Sequence, residues 1–300
     1  MDKLALIEAA ALLGKTHPSP AIEFMGVGGS LRVLCNMTIA LTGGEMTAKV
    51  GDRLLQWNAT HTLNAGDILE LSAPKSGVYA YVTPHAELAT PRIFDSQSSH
   101  VSAGVGDWLQ IGNVINGTLA PAVRSMKIRA VDRLDGGTVR YLAGPQTDLF
   151  SDADLERFHA TPFRGSHTAN RRGVKIDFEG APFTPQNAHG IVSDIIVTGD
   201  IQMTGDGEPY VLMSECQTMG GYPRIGTVIP TDLPILAQAK AGTPIRFEQT
   251  TLEQADKIMA DPISAATLST RLSTLVRDPT EISDLLSYQL ISGAVTGYED

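Results

Sequence analysis

Cysteine is nearly absent: Cys35 and Cys216 are the only two in 300 residues. Two thiols build neither a disulfide framework nor a four-thiolate zinc site. Charged residues make up 19% of the chain, below the usual ~25%, and 23 Lys and Arg face 33 Asp and Glu for a net charge of -10. A diffuse negative field repels phosphate backbones and anionic lipid, so nucleic acid and membrane surfaces are not expected partners. No window approaches the ~20 apolar residues of a bilayer span. The opening Met1-Asp2-Lys3-Leu4 shows no basic segment ahead of an apolar one, so the expected compartment is the cytoplasm. There is no G-x-x-x-x-G-K-[ST] phosphate loop and no G-x-S-x-G nucleophile turn. The seven histidines are scattered with no H-x-H or H-x-x-x-H pair, and no metal site is expected.

What the chain has is β-strand pattern, spread over enough length for two domains of ordinary size. Leu4, Ile7, Ala11 and Leu12 recur at helical spacing, with Asp2 as a cap and Gly14 as a stop. Short strands are then expected at Leu31–Leu34, Thr38–Leu41 (stopping at Gly43-Gly44), Arg53–Trp57, Asp67–Leu71, Gly77–Val82 and Trp108–Ile115. Thr138–Leu142 reads as a strand, and Ser151 with Asp154 opens a helix to about Ala160. A second β-rich block follows at Val174–Phe178, Ile195–Met203 and Pro209–Met213. Thr250 with Glu253 starts a helix over Leu252–Ala260, and Asp278-Pro279 starts another with Ile282, Leu285, Leu286 and Leu290 on one face. The expected division is residues 1–145 and 146–300, two β-rich halves with a helical tail.

Several short motifs fail on context. Gly26 to Ser30 is glycine-rich but lacks the order of a dinucleotide loop, and a turn fits it better. Ser125-Met126-Lys127-Ile128 faintly echoes a biotin attachment context, and an ordinary lysine on a strand is the better reading. Cys216 lies between Glu215 and Gln217, where a carboxylate discourages the thiolate, so it reads as structural.

One stretch stands apart. It contains Gln202, then Gln217-Thr218-Met219-Gly220-Gly221-Tyr222-Pro223-Arg224-Ile225, then Asp232 to Gln238. Gly220-Gly221 brings bare backbone to a surface, and Gln217, Thr218 and Gln238 are neutral donors and acceptors beside the Tyr222 hydroxyl. Such a set suits an amide, urea or lactam better than a phosphate. A tight β-turn with a packed tyrosine is the structural alternative.

The stretch resembles the biotin-dependent carboxyltransferase family, whose members are known variously as allophanate hydrolase subunit 2, urea amidolyase-related protein or the C-type subunit of 5-oxoprolinase. Its pattern S-x-G-x-x-x-G-x-I-Q, Q-T-x-G-G-Y-P-x-I and D-L-x-x-L-A-Q is met at Ser193, Gly199, Ile201, Gln202, Gln217, Thr218, Gly220 to Pro223, Ile225, Asp232, Leu233 and Leu236 to Gln238. Weaker matches include Arg140, Gly144-Pro145-Gln146, Asp148 and Phe150, and Asn170 to Lys175. Gln97 stands where the family usually has arginine, and Thr204 where it has proline. Met1-Asp2 resembles the end of an S-G-A-M-D motif that a Q-D-x-G-R segment normally precedes. The resemblance thus leads us to expect an open strand edge between residues 20 and 120.

The resemblance further implies a mainly β fold with peripheral helices, two cyclophilin-like β-barrel halves in one chain. It implies a subunit of a 5-oxoprolinase-type complex, opening the 5-oxoproline lactam with ATP consumed by the assembled complex. The expected partners are a companion carboxyltransferase-type subunit and a lactam-utilisation subunit. Two alternatives stay open: a urea- or allophanate-type carboxyltransferase subunit served by biotin on a partner, and a non-catalytic regulator that binds a kinase-inhibitor-like partner. The expected catalytic set is Gln217, Tyr222 and Gln238. Arg171, Gln202, Thr218, Gly220 and Gly221 are expected to bind substrate, with Arg171 facing a substrate carboxylate or else pairing with Asp177 or Glu179.

Overall fold

The computed structural model describes residues 1–186 and 192–276. The chain enters on α1 (Lys3–Leu12), specified at both ends by its sequence. Asp2 accepts the Ala5 N–H at 3.1 Å, and Gly14 leaves the helix at φ +66°, a conformation glycine adopts without strain. Its alanine-rich surface is buried on most sides, which lets it pack closely.

Strands β1 (Ile22–Met25), β2 (Gly29–Arg32), β3 (Met37–Glu45), β4 (Ala48–Val50), β5 (Arg53–Leu55), β6 (Ala59–Leu63), β7 (Ile68–Leu71) and β8 (Ser76–Pro84) follow in close succession. A hairpin of β9 (Ala86–Leu88) with β10 (Gly117–Leu119) brackets a long loop, and β11 (Met126–Ile128) completes this part. They form a four-stranded sheet, β2-β7-β4-β5, and a six-stranded sheet running β1-β8-β3-β6-β11 and ending on a strand from the far end of the chain. Strand β3 shows how the faces divide. Ile39 and Leu41 join Leu63, Leu69, Leu71 and Val82 in one core shared by both sheets, whereas Ala40 faces α1. Among the described residues β1, β2 and β5 stand at the ends of their sheets.

The second unit contains β12 (Gly137–Leu142), α2 (Asp152–Ala160), β13 (Phe163–Ala169), β14 (Gly173–Asp177), β15 (Asp194–Ile195), β16 (Asp200–Met203), β17 (Pro209–Leu212), β18 (Met219–Gly220), β19 (Arg224–Val228), α3 (Leu233–Gln238) and β20 (Pro244–Thr250). Seven of these strands close a barrel in the order β12-β19-β16-β17-β14-β13-β20, sealed by the parallel pair β12 and β20. Its interior is aromatic: α2 contributes Phe158, fully buried, stacked on Phe247 at 5.1 Å and 4.9 Å from Phe163. The chain then returns through α4 (Leu252–Ala260) and α5 (Ala265–Leu268) to β21 (Leu272–Thr274), the strand that completes the six-stranded sheet beside β11.

Strand membership corrects the linear division at residue 145. Strand β12 belongs to the barrel although it precedes that point, and β21 belongs to the first unit although it lies beyond it. Other readings shift for local reasons. Strand β3 runs through Gly43-Gly44, because Gly43 at φ +82° makes a bulge there rather than a stop. Gly199, at φ +99°, splits the expected strand Ile195–Met203 into β15 and β16. No strand forms over Trp108–Ile115, where Gly112 takes positive φ, as Gly106 does just before it, and Trp108, Leu109 and Ile111 are exposed. The cap of α4 is Thr251 with Gln254, one residue later than expected. The helix expected from Asp278 lies outside the described residues.

Candidate functional site

Strands β15 and β18 pair as a short arm laid on the outside of the barrel. Along β16, Ile201 and Met203 are fully buried in the barrel core, so the alternating Asp200 and Gln202 point outward beneath the arm. Arg224, opposite Gln202 in β19, fastens this arrangement. It donates to Asp194 at 2.6 Å, to the Ile195 carbonyl at 2.7 Å and to Asp200 at 3.2 Å. Gln146, from the Gly144-Pro145-Gln146 linker, accepts the Arg224 backbone N–H at 3.0 Å. Sequence reasoning passed over Arg224 because it fills an unspecified position of the family pattern, although an arginine beside a glycine turn was a usable signal.

Six of the eight expected site residues gather here. Gln217, Thr218, Gly221 and Tyr222 are exposed along the arm, with Tyr222 at 51%. Gly220 lies directly over Gln202, which is 4% exposed. Met219 and Ile195 add exposed apolar surface beside them.

Arg171 lies close by in the chain's folded path but is already engaged. The turn after β13 presses against the segment after β17, where the Glu215 N–H donates to the Arg171 carbonyl at 2.8 Å. The Arg171 guanidinium bridges Glu23 of β1 and Glu215, the latter at 2.5 Å. Its partners are thus neither Asp177 nor Glu179. Burial disfavours its charge, but the two carboxylates outweigh that and raise its pKa above the ordinary arginine value. Ser102, from the long loop of the first unit, donates to Glu215 at 3.4 Å and ties that loop to the same place.

Gln238 departs from the expected catalytic set. It is fully buried, and its amide is spent inside the protein. Its oxygen accepts the Val78 and Tyr79 N–H groups at 2.8 and 3.0 Å, while its nitrogen donates to Asp2 and to the Tyr79 carbonyl. A Cβ at Gly77 would stand 2.5 Å from that oxygen, so glycine makes the room. Gln238 is a strut between the barrel and β8.

Cys216 is half-buried; burial pushes its thiol pKa up and nearby Asp200 adds to the shift, against a nucleophilic role. Lys127 lies within β11, between β21 and β6. Among the described residues no group of His, Cys, Asp and Glu side chains is gathered for a metal ion, and no helix is long and apolar enough to cross a membrane.

Residues 1–249 match the family model for the carboxyltransferase domain, subdomains A and B. The chain is 30% identical over 266 residues to the C-type subunit of 5-oxoprolinase from Escherichia coli, covering 87% of this chain and 85% of that protein. It is 24% identical over 279 residues to urea amidolyase of Lachancea kluyveri, covering 82% of this chain but 15% of that much longer protein. The crystal structure of K. lactis urea amidolyase superposes with a TM-score of 0.75 at 22% identity, over 87% of this chain and 17% of that one. At that identity the likeness is one of fold.

Proposed function

The chain belongs to the carboxyltransferase family of subdomains A and B, and from that premise we propose that it is the C-type subunit of a 5-oxoprolinase complex. The observation that carries this is the length-for-length match to a separate 5-oxoprolinase subunit, against a match to only 15% of a urea amidolyase. The reaction adds water across the lactam: the ring C–N bond breaks, the carbonyl carbon gains the water oxygen, and the nitrogen takes a proton. On this chain Gln217, Thr218 and Tyr222 orient the planar amide, and the backbone at Gly220-Gly221 faces the oxygen that gains negative charge. Arg171 holds the Glu215 end of the same loop in place, positioning the segment that carries Gln217.

ATP is consumed by the assembled complex. The groups here do not suit a triphosphate, since Glu23, Glu215, Asp194 and Asp200 outnumber Arg171 and Arg224, and no phosphate step is assigned to this chain. A second reading, carboxyl transfer to urea from biotin carried by a partner, is favoured by the fold likeness to urea amidolyase.

Reconstitution separates these. The purified chain is mixed with a companion carboxyltransferase-type subunit and a lactam-utilisation subunit, and 5-oxoproline loss is followed with ADP release. The expected outcome is coupled turnover by the mixture and no ATP hydrolysis by this chain alone. Urea-dependent decarboxylation of a carboxybiotin carrier without lactam turnover would favour the second reading. Tight partner binding with no turnover of either substrate would favour a regulator.

A further inference from the structure

Asp200, Gln202 and Arg224 share the outer barrel face beneath the arm, and Asp200 and Arg224 are fully engaged. Asp200 accepts from Thr227 at 2.6 Å, from the Val197 N–H at 3.0 Å and from Arg224. Arg224 donates to four oxygens across Asp194, Ile195, Asp200 and Gln146. Gln202 differs. Its Nε2 is buried and has no hydrogen-bond partner. An orphaned buried donor costs stability, and a ligand that satisfies it recovers that cost.

The residue above Gln202 is one without a side chain. A Cβ at Gly220 would stand 2.9 Å from Gln202 Nε2 and 2.9 Å from Ile196 Cδ1, too close for either to stay in place. The arm that carries Gly220 is only two residues per strand. On the barrel side Arg224 holds it, through the half-exposed Asp194 carboxylate and the Ile195 carbonyl, and an ion pair with one partner this exposed contributes little. The ionised groups under the arm, Asp194 and Asp200 against Arg224, sum to one negative charge. That disfavours an anionic oxygen and leaves a neutral carbonyl as the matching acceptor.

We infer that Gln202 Nε2 donates to the carbonyl oxygen of an uncharged amide, lactam or urea group, which enters over Gly220 as the arm lifts. This rests on the amide-type substrate proposed above and adds the atom that recognises it. The carboxylate of a lactam substrate then points outward, away from Asp200.

The test uses the chain assembled with its companion subunits and two probes, carbonyl-13C 5-oxo-L-proline and 13C-urea. In the wild type the bound carbonyl stretch of the accepted probe moves to lower frequency. Gln202→Met loses that shift, weakens binding by about tenfold, and raises Tm because the orphaned amide is gone. Gly220→Ala also weakens binding, and the double variant is no worse than Gln202→Met alone. Unchanged affinity and an unchanged carbonyl shift in Gln202→Met would overturn the inference while lactam turnover still upheld the proposed function. A lowered Tm in Gln202→Met would also overturn it, by showing that the amide is already satisfied within the protein. If the wild-type assembly binds and turns over neither probe, the amide-substrate reading fails and this inference fails with it.

Discussion

An amide side chain can be spent inside a protein or offered to a ligand, and Gln238 and Gln217 divide on that choice. Both belong to the same family pattern, and residue type alone cannot separate them. Burial does: Gln238 makes four hydrogen bonds to Asp2 and to the backbone of β8, whereas Gln217 is exposed on the arm. Substitutions should therefore act through different quantities. Gln238→Ala leaves several buried groups unpaired and should cost about 2–3 kcal/mol of stability, read as a lower urea midpoint. Gln217→Ala and Tyr222→Ala should stay within about 0.5 kcal/mol of the wild type in stability. Yet each should lower turnover of the assembled complex by roughly 10²-fold or more. If both exposed variants keep near-normal turnover, the turn is structural and the functional assignment of the arm falls.

Elements whose ends are written in local chemistry were legible. The caps Asp2 and Ser151 were read directly, because a side-chain oxygen two or three residues before a free N–H needs no tertiary information. The loop around Trp108 was not legible. Its large apolar residues suggested a strand, but strand formation depends on a neighbour to pair with, and the positive-φ Gly112 interrupts the run. Within β6, His61 makes a prediction at this scale. It is 7% exposed and its Nε2–H donates to the Gln56 carbonyl at 2.8 Å. Burial lowers its pKa, with Arg53 adding to the shift and the Gln56 contact partly opposing it. The folded state therefore prefers the neutral ring, and the unfolded chain takes up the proton first, near pH 6.5. Stability from this site is complete above that pH and declines as pH falls through the lower folded value. Between pH 7.5 and 5 the urea midpoint of His61→Gln should fall less than that of the wild type. Parallel declines would show that His61 is not a source of acid sensitivity.

The whole molecule depends on a junction that no linear pattern announces, because its members are spread from residue 2 to residue 238. Arg133, 3% exposed, donates to Asp2 at 2.6 Å and to both oxygens of Glu8 at 3.0 and 2.8 Å. Burial works against its charge, but the two carboxylates outweigh that and hold its pKa above the ordinary arginine value. Asp2 also accepts from Gln238 of the barrel, and its N–H donates to the Tyr81 hydroxyl, which in turn donates to Glu23, the partner of Arg171. One continuous set of hydrogen bonds thus runs from α1 through the six-stranded sheet to the barrel and, through Arg171, to Glu215 in the segment after β17. A buried pair contributes little relative to apolar packing, but removing one partner strands the other. Arg133→Met leaves Asp2 and Glu8 facing each other without a cation, and should cost about 3–5 kcal/mol. Hydrogen exchange in increasing urea can follow each unit separately, with peptides from β3 and β8 reporting the sheets and peptides from β16 and β19 the barrel. In the wild type the two sets should lose protection together. In Arg133→Met the sheets should open at lower urea than the barrel, because the link that makes their unfolding cooperative has lost its central cation. Loss of protection in both sets at the wild-type midpoint would show that the apolar contact between α3 and β8, not the polar network, joins the two units.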